Sequence, residues 1–139
     1  MGYGELLHKS EQRTISPAIC VYIDANGLHE PNNERGHEAG DLMLRFVAES
    51  LMEQFPKGSL CRVGGDEFVV FPAPAEGQTG EDRMCSASAS ITAQGCSISY
   101  GIAAHESVVG LRELVREADE KMLESKHAYY AEHDRRVRK

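Results

Sequence analysis

Apolar and polar positions follow distinct rhythms along this chain, and each rhythm predicts an element. Residues 18–23 (AICVYI) form an unbroken apolar run rich in β-branched residues, the pattern of a strand buried on both faces. The run stops at Asp24-Ala25-Asn26-Gly27, where acid, amide and glycine signal a turn. From Ala39 the apolar positions Met43, Phe46, Val47 and Leu51 fall on one helical stripe, predicting a helix to Phe55 that Pro56 and Gly58 end. Two short apolar segments, 59–63 and 67–71, flank Gly64-Gly65-Asp66 and predict a β-hairpin whose glycines take the positive φ of a tight turn. Residues 72–80 are expected to form a loop, residues 81–94 a helix of small side chains, and residues 96–104 (CSISYGIAA) an alternating strand. Leu111, Leu114, Val115, Ala118 and Met122 mark an amphipathic helix. Residues 1–16 fit a partial N-terminal helix or tail, and residues 133–139 a frayed basic tail carrying Arg135, Arg136, Arg138 and Lys139. The order strand, helix, hairpin, helix, strand, helix predicts an α+β, ferredoxin-like fold, a mixed central sheet with flanking helices on one face.

The length of 139 residues suits one domain spanning the whole chain. Charged residues make up 27% and hydrophobic residues 41%, the balance of a folded chain rather than a disordered one. No run of about 18 apolar residues exists to span a membrane, and no apolar segment follows Met1 as in a signal peptide. A cytoplasmic location is therefore expected, with no membrane contact by this segment. The net charge of −7 disfavours nucleic acid as a partner, because little counterion would be released on binding. It does not exclude a small phosphate-bearing ligand, since metal ions screen carboxylates locally. Cys20, Cys61, Cys85 and Cys96 make no C-x-x-C pair and are expected as buried, reduced thiols rather than zinc ligands. His37 and the other histidines show no ligand spacing.

Two acidic turns hold the candidate chemistry. Asp24 ends the buried strand, and Asp66-Glu67 sit at the hairpin tip. If those strands are neighbours, the carboxylates meet at one sheet edge, repel one another and raise their own pKa values. Two Mg²⁺ ions would cancel the repulsion and suit hard oxygen ligands, and a metal pair of this kind serves in-line phosphoryl transfer. Gly64 and Gly65 leave room for phosphates to approach the backbone. From spacing alone a solvated acidic hairpin is the simpler reading. Taken singly, Asp41 also fits an acid favoured by a helix dipole, and Lys126 a solvated helix residue.

Linked motifs change that balance. Gly64-Gly65-Asp66-Glu67-Phe68, preceded by Arg62, resembles the signature of the GGDEF diguanylate cyclase family. Asp24-Ala25-Asn26-Gly27-Leu28, then Asn32, then Gly36-His37-Glu38-Ala39-Gly40-Asp41, is similar to its metal- and guanine-binding segment. Ser99-Tyr100-Gly101-Ile102-Ala103 resembles the strand after the second helix, and Ala118-Asp119 with Lys126 the final helix. The likeness runs in order from Ala18 to Lys126. It implies a palm-type nucleotidyl cyclase-like sheet and a diguanylate cyclase that condenses two GTP into cyclic di-GMP and two pyrophosphates. Mg²⁺, two per GTP with Mn²⁺ as a substitute, would be held by Asp24, the carbonyl of Ala25, Asp66 and Glu67. Asp66, supported by Glu67, would act on the attacking 3′-hydroxyl. Asn32, Asp41 and Leu44 would bind guanine, a carboxylate accepting the paired N–H groups that adenine lacks. Leu28, His29, Gly64, Gly65 and Lys126 would face the phosphates, Lys126 as a point charge. Turnover would require a homodimer, and an upstream sensor domain is expected.

Departures from the family pattern keep other functions open. His29 stands where a lysine is usual, so a phosphate-facing charge is lost near neutral pH. Tyr130 stands where an arginine is frequent, and Arg135 or Arg136 is the candidate replacement. Asn33 replaces a common aspartate, and Pro31 restricts the loop that presents Asn32. The family's Leu-Thr-containing start is absent, so further sequence upstream is expected. Phe55-Pro56-Lys57-Gly58 supplies neither the arginine nor the aspartate of the family's product-inhibition site, which predicts no feedback inhibition there. The alternatives are a catalytically weak or inactive domain that binds GTP or a partner as a regulatory module, and a cyclase of altered nucleotide choice. Asp41 favours guanine.

Overall fold

The computed structural model of the chain describes residues 2–26 and 36–137, with residues 36–39 and 133–137 described by backbone only. The chain runs α1 (Tyr3–Ser10), β1 (Thr14–Ile15), β2 (Ala18–Asn26), α2 (Gly36–Gln54), β3 (Ser59–Arg62), β4 (Glu67–Phe71), α3 (Pro74–Gln78), α4 (Gly80–Ala93), β5 (Ser97–His105), β6 (Val108–Val109) and α5 (Arg112–Val137). Four strands form the main sheet in the order β3-β4-β2-β5. The apolar run of β2 takes the interior position between β4 and β5. Asp24, at its end, lies opposite Glu67 on one side and Ser99 on the other. The short strands β1 and β6 pair separately, Thr14 with Val109 and Ile15 with Val108.

The alternation of β2 divides the core between two faces. Val21, Ile23 and Ala25 pack with Leu44, Val47 and Leu51 of α2 and with Met84, Ala87 and Ile91 of α4. Cys20 and Tyr22 pack on the opposite face with Leu7 of α1 and Leu114, Val115, Ala118 and Met122 of α5. Helix α5 meets the sheet at Gly101 of β5, where a Cβ would lie 2.4 Å from the carbonyl oxygen of Ala118 and the amide nitrogen of Met122. No side chain fits between strand and helix there, so α5 rests directly on the sheet.

This is the α+β, palm-type architecture expected, with several details changed. Every pairing in the main sheet is antiparallel, so it is not mixed. Helices cover both of its faces rather than one, as a central strand apolar on both sides requires. Residues 74–78, expected as loop, form α3. Its Pro74 is preset for a first helical position, and the Glu76 carboxylate folds back to accept the Ala73 N–H at 3.0 Å. The basic end is not a frayed tail as far as Val137, because α5 continues to that residue. Cationic residues near a helix C-terminus interact favourably with its dipole. All cysteines are free, yet only Cys20 and Cys96 are buried and Cys85 is exposed. Among the described residues no helix is long and apolar enough to cross a membrane.

Candidate active site

The site is built where β2 emerges from the core. Period two along the strand places Cys20, Tyr22 and Asp24 on the α5 face, and Asp24 remains only 2% exposed. One of its carboxylate oxygens, Oδ2, accepts a hydrogen bond from Lys126 Nζ at 2.8 Å. The other, Oδ1, is buried and has no hydrogen-bond partner among the described residues. Burial pushes the Asp24 carboxyl above the usual carboxylate range; Lys126 opposes the rise, and the neighbouring charges of Asp66 and Glu67 add to it. Lys126 is raised in turn by its bond to Asp24, against the effect of burial. Two turns earlier on α5, Asp119 is raised by burial, then by Glu120 and by Asp24. Two carboxylates and one ammonium therefore act on buried Asp24, and Asp24 acts in turn on Asp119.

The β3–β4 hairpin brings the other acids. Arg62 clamps its tip, Nε donating to the carbonyls of Gly64 and Gly65, each at 3.2 Å, and Nη2 to that of Gly65 at 2.6 Å. The Val63 N–H closes the turn on the Glu67 carbonyl at 2.9 Å. The Ala25 N–H donates to the Asp66 carbonyl at 3.0 Å, tying the hairpin to the end of β2. Contrary to expectation, Gly64 and Gly65 do not take positive φ; among the described residues only Gly95 and Gly110 do. The side-chain and carbonyl clamps hold the turn without it. A Cβ on Gly65 would meet nothing within 4 Å, so the space over the tip is open to a ligand.

Further hydrogen bonds stiffen this end of the sheet. Tyr22, buried to 6% exposure, donates its hydroxyl to Glu67 Oε2 at 2.9 Å. Burial and that acceptor hold its phenol far above the usual range, so the hydroxyl keeps its proton. Asn26 Oδ1 accepts from Ser99 Oγ at 3.0 Å, joining β2 to β5 just past Asp24. Tyr22 and this Asn26–Ser99 link are contributors that motif reading missed. Strand alternation was the available signal, since it puts the only hydroxyl of the 18–23 run on Asp24's face.

Of the expected site residues, Asp24, Ala25, Asp66, Glu67 and Lys126 are thus brought to one place, with Gly64 and Gly65 at the adjoining tip. Asp41 and Leu44 lie on α2, against the opposite face; Asp41 is exposed, while Leu44 packs in the cluster that includes Ala25. Leu28, His29 and Asn32 lie outside the described residues, and the Arg135 and Arg136 side chains are likewise not described. Among the described residues, no group of three His, Cys, Asp or Glu side chains is already gathered as a ligand cluster. The chemistry of the donors nevertheless fits a hard cation. A buried carboxylate oxygen without a partner is costly to retain, and among the described residues Asp24 Oδ1 is one, beside further carboxylates and joined through Oδ2 to Lys126. Divalent ions such as Mg²⁺ take oxygen ligands of this type.

The model of the family "Diguanylate cyclase, GGDEF domain" matches residues 4–131. Signaling protein YkoW of Bacillus subtilis is 36% identical over 64 residues, which cover 45% of this chain and 8% of YkoW. Diguanylate cyclase DgcN of Escherichia coli is 28% identical over 140 residues, covering 91% of this chain and 33% of DgcN. The chain thus spans a third or less of the length of these two relatives. Among solved structures, the GGDEF domain of TpbB (YfiN) from Pseudomonas aeruginosa superposes with a TM-score of 0.71 at 28% identity, covering 89% of this chain and 78% of that one. A match across nearly the whole chain, together with a fold that carries the signature hairpin to the end of a buried acidic strand, shows that this chain belongs to the GGDEF diguanylate cyclase family.

Proposed function

We propose that this chain binds GTP and, as a homodimer, condenses two GTP into cyclic di-GMP. The observation that carries the reading is Asp24 Oδ1, a buried carboxylate oxygen left without a partner beside Asp66, Glu67 and Lys126. Two divalent cations, Mg²⁺ or Mn²⁺, bound by Asp24, the Ala25 carbonyl, Asp66 and Glu67, would neutralise the triphosphate and make the 3′-hydroxyl a better nucleophile. The chain's own groups do the rest. Asp66 accepts the 3′-hydroxyl proton as that oxygen bonds to the α-phosphorus of the partner protomer's GTP. The bond from that phosphorus to the bridging oxygen breaks and pyrophosphate leaves; the same exchange in the other direction closes the ring. Lys126 offers its ammonium to the phosphates, and the open space over Gly65 admits them. By the family resemblance Asp41 and Asn32 would read the guanine edge beside Leu44, and Leu28 and His29 would serve the phosphates.

GTP as substrate puts the reaction in the cytoplasm, and an upstream sensor domain supplies dimerisation. Product feedback through the 55–58 segment is not expected, because Phe55 is wholly buried in the core and Gly58 offers no side chain. His29 and Tyr130 support a second reading, a domain that holds GTP without turning it over. Incubation of the dimerised protein with GTP and Mg²⁺, followed by chromatography, separates the two. Cyclic di-GMP that disappears in Asp66→Ala is the expected result; tight GTP binding without product supports the regulatory module instead.

A further inference from the structure

The Tyr22–Glu67 contact goes beyond the residues the family motifs supply. Tyr22 lies two residues before Asp24 on β2, so both side chains leave the strand on the same face. Glu67 is directly opposite Asp24 on β4, which makes Tyr22 its diagonal neighbour. The tyrosine ring is held by the core that includes Leu7, Val69 and Met122, and the position of its hydroxyl follows from that packing. The hydroxyl donates to Glu67 Oε2 at 2.9 Å. An ionised carboxylate only accepts hydrogen bonds, so this contact fixes the donor, the acceptor and the orientation of the carboxylate together. Glu67 is half-buried and, without such an anchor, has rotamers to choose between.

We propose that Tyr22 is a positioning residue: its hydroxyl holds Glu67 by one oxygen and so presents the carboxylate beside Asp24 in the orientation that receives a nucleotide-bound metal ion. The assignment rests on the reading of the site as a metal–GTP centre and adds a residue to it. A purely structural tyrosine would also find a partner for its buried hydroxyl. The two roles differ in what is lost on deletion. A structural bond contributes to stability alone, whereas a group that orients a metal ligand contributes to metal affinity through that ligand.

The test is a double-mutant cycle on the full chain with Tyr22→Phe and Glu67→Ala, the alanine leaving no acceptor for the hydroxyl. Its readouts are the Mn²⁺ dissociation constant, measured by electron paramagnetic resonance with the α,β-methylene analogue of GTP, and the metal-free Tm. Tyr22→Phe is expected to weaken Mn²⁺ binding about tenfold, the usual loss when a metal ligand's hydrogen-bond support is removed, and to have no further effect in the Glu67→Ala background. Glu67→Asp draws the carboxylate back from the hydroxyl while leaving the core untouched, and is expected to weaken Mn²⁺ by a similar factor. Parent-like affinity in either Tyr22→Phe or Glu67→Asp overturns the proposal, as does an equal loss from Tyr22→Phe with and without Glu67. A parent protein that binds no Mn²⁺ with the nucleotide overturns the underlying reading as well. A parent that binds while Tyr22→Phe binds equally overturns only the role of Tyr22.

Discussion

Among the described residues two carboxylates are buried to nearly the same depth, Glu76 at 4% exposure and Asp24 at 2%, and they are treated in opposite ways. Each oxygen of Glu76 has a backbone partner: Oε2 accepts the Lys57 N–H at 2.8 Å, and Oε1 accepts the Ala73 N–H at 3.0 Å. It joins the turn before β3 to the start of α3 and leaves nothing over. Asp24 has one oxygen on Lys126 and one on nothing. A buried polar group is ordinarily satisfied, as Glu76 is; on the proposed function the free oxygen of Asp24 is the one a metal ion takes. The difference separates structure from function more clearly than depth of burial does.

The largest effect is expected at Asp24 itself. Asp24→Asn keeps the shape and removes the charge, so cyclase activity should fall by about a thousandfold, the scale of losing a principal electrostatic contact in a transition state. Stability should move the other way or not at all. Because burial holds this carboxyl above the usual range, its ionised form is the one that folding disfavours, and metal-free stability declines as pH rises through that elevated value. The asparagine variant should therefore gain on the parent across that rise. A drop in its neutral-pH Tm of more than about 3 °C, equivalent to about 1 kcal/mol at this size, would contradict the assignment.

Glu76→Ala should do the converse. Leaving the Lys57 and Ala73 N–H groups without their acceptor should cost about 2–3 kcal/mol in urea unfolding, while turnover per folded molecule stays at the parent level. Glu76→Gln, which retains one acceptor oxygen, should fall between the two. Gly101→Ala touches Asp24 indirectly. Its methyl would force α5 off the sheet near Ala118 and Met122, with an expected cost of about 1–3 kcal/mol, and would carry Lys126 away from Asp24. The sign of that coupling is an activity loss larger than the stability loss accounts for. The smallest effect belongs to Glu117, whose carboxyl is held below the usual range chiefly by the His105 hydrogen bond. Its contribution is present above the ordinary carboxylate range and vanishes as pH falls through the lowered value. The pair is exposed, so Glu117→Gln should change stability by about 0.5 kcal/mol or less.

Much of this was legible in the sequence. The run at 18–23, apolar on both sides, requires a strand with cover on both faces, and the structure supplies α2 and α4 on one and α1 and α5 on the other. Assigning the helices to a single face missed what the run itself demanded. Asp24 and the hairpin acids could be placed at one sheet end because turn residues follow an apolar strand and separate two others. Whether their oxygens were satisfied could not be read, since that depends on a lysine 102 positions away. The helix at Pro74–Gln78 was hidden by prolines and glycine, and its stability comes from Glu76 reaching back to Ala73, a contact that composition does not show. The β1–β6 pair was too short to produce a period.

On the proposed function, the orphan oxygen of Asp24 receives a nucleotide-bound metal ion. A crystal of the protein soaked with Mn²⁺ and the α,β-methylene analogue of GTP tests it directly. The expected result is an anomalous peak bonded to Asp24 Oδ1, with the triphosphate beside it over the Gly64-Gly65 tip. Nucleotide bound elsewhere, with Oδ1 still bare and Lys126 its carboxylate's only partner, would contradict it.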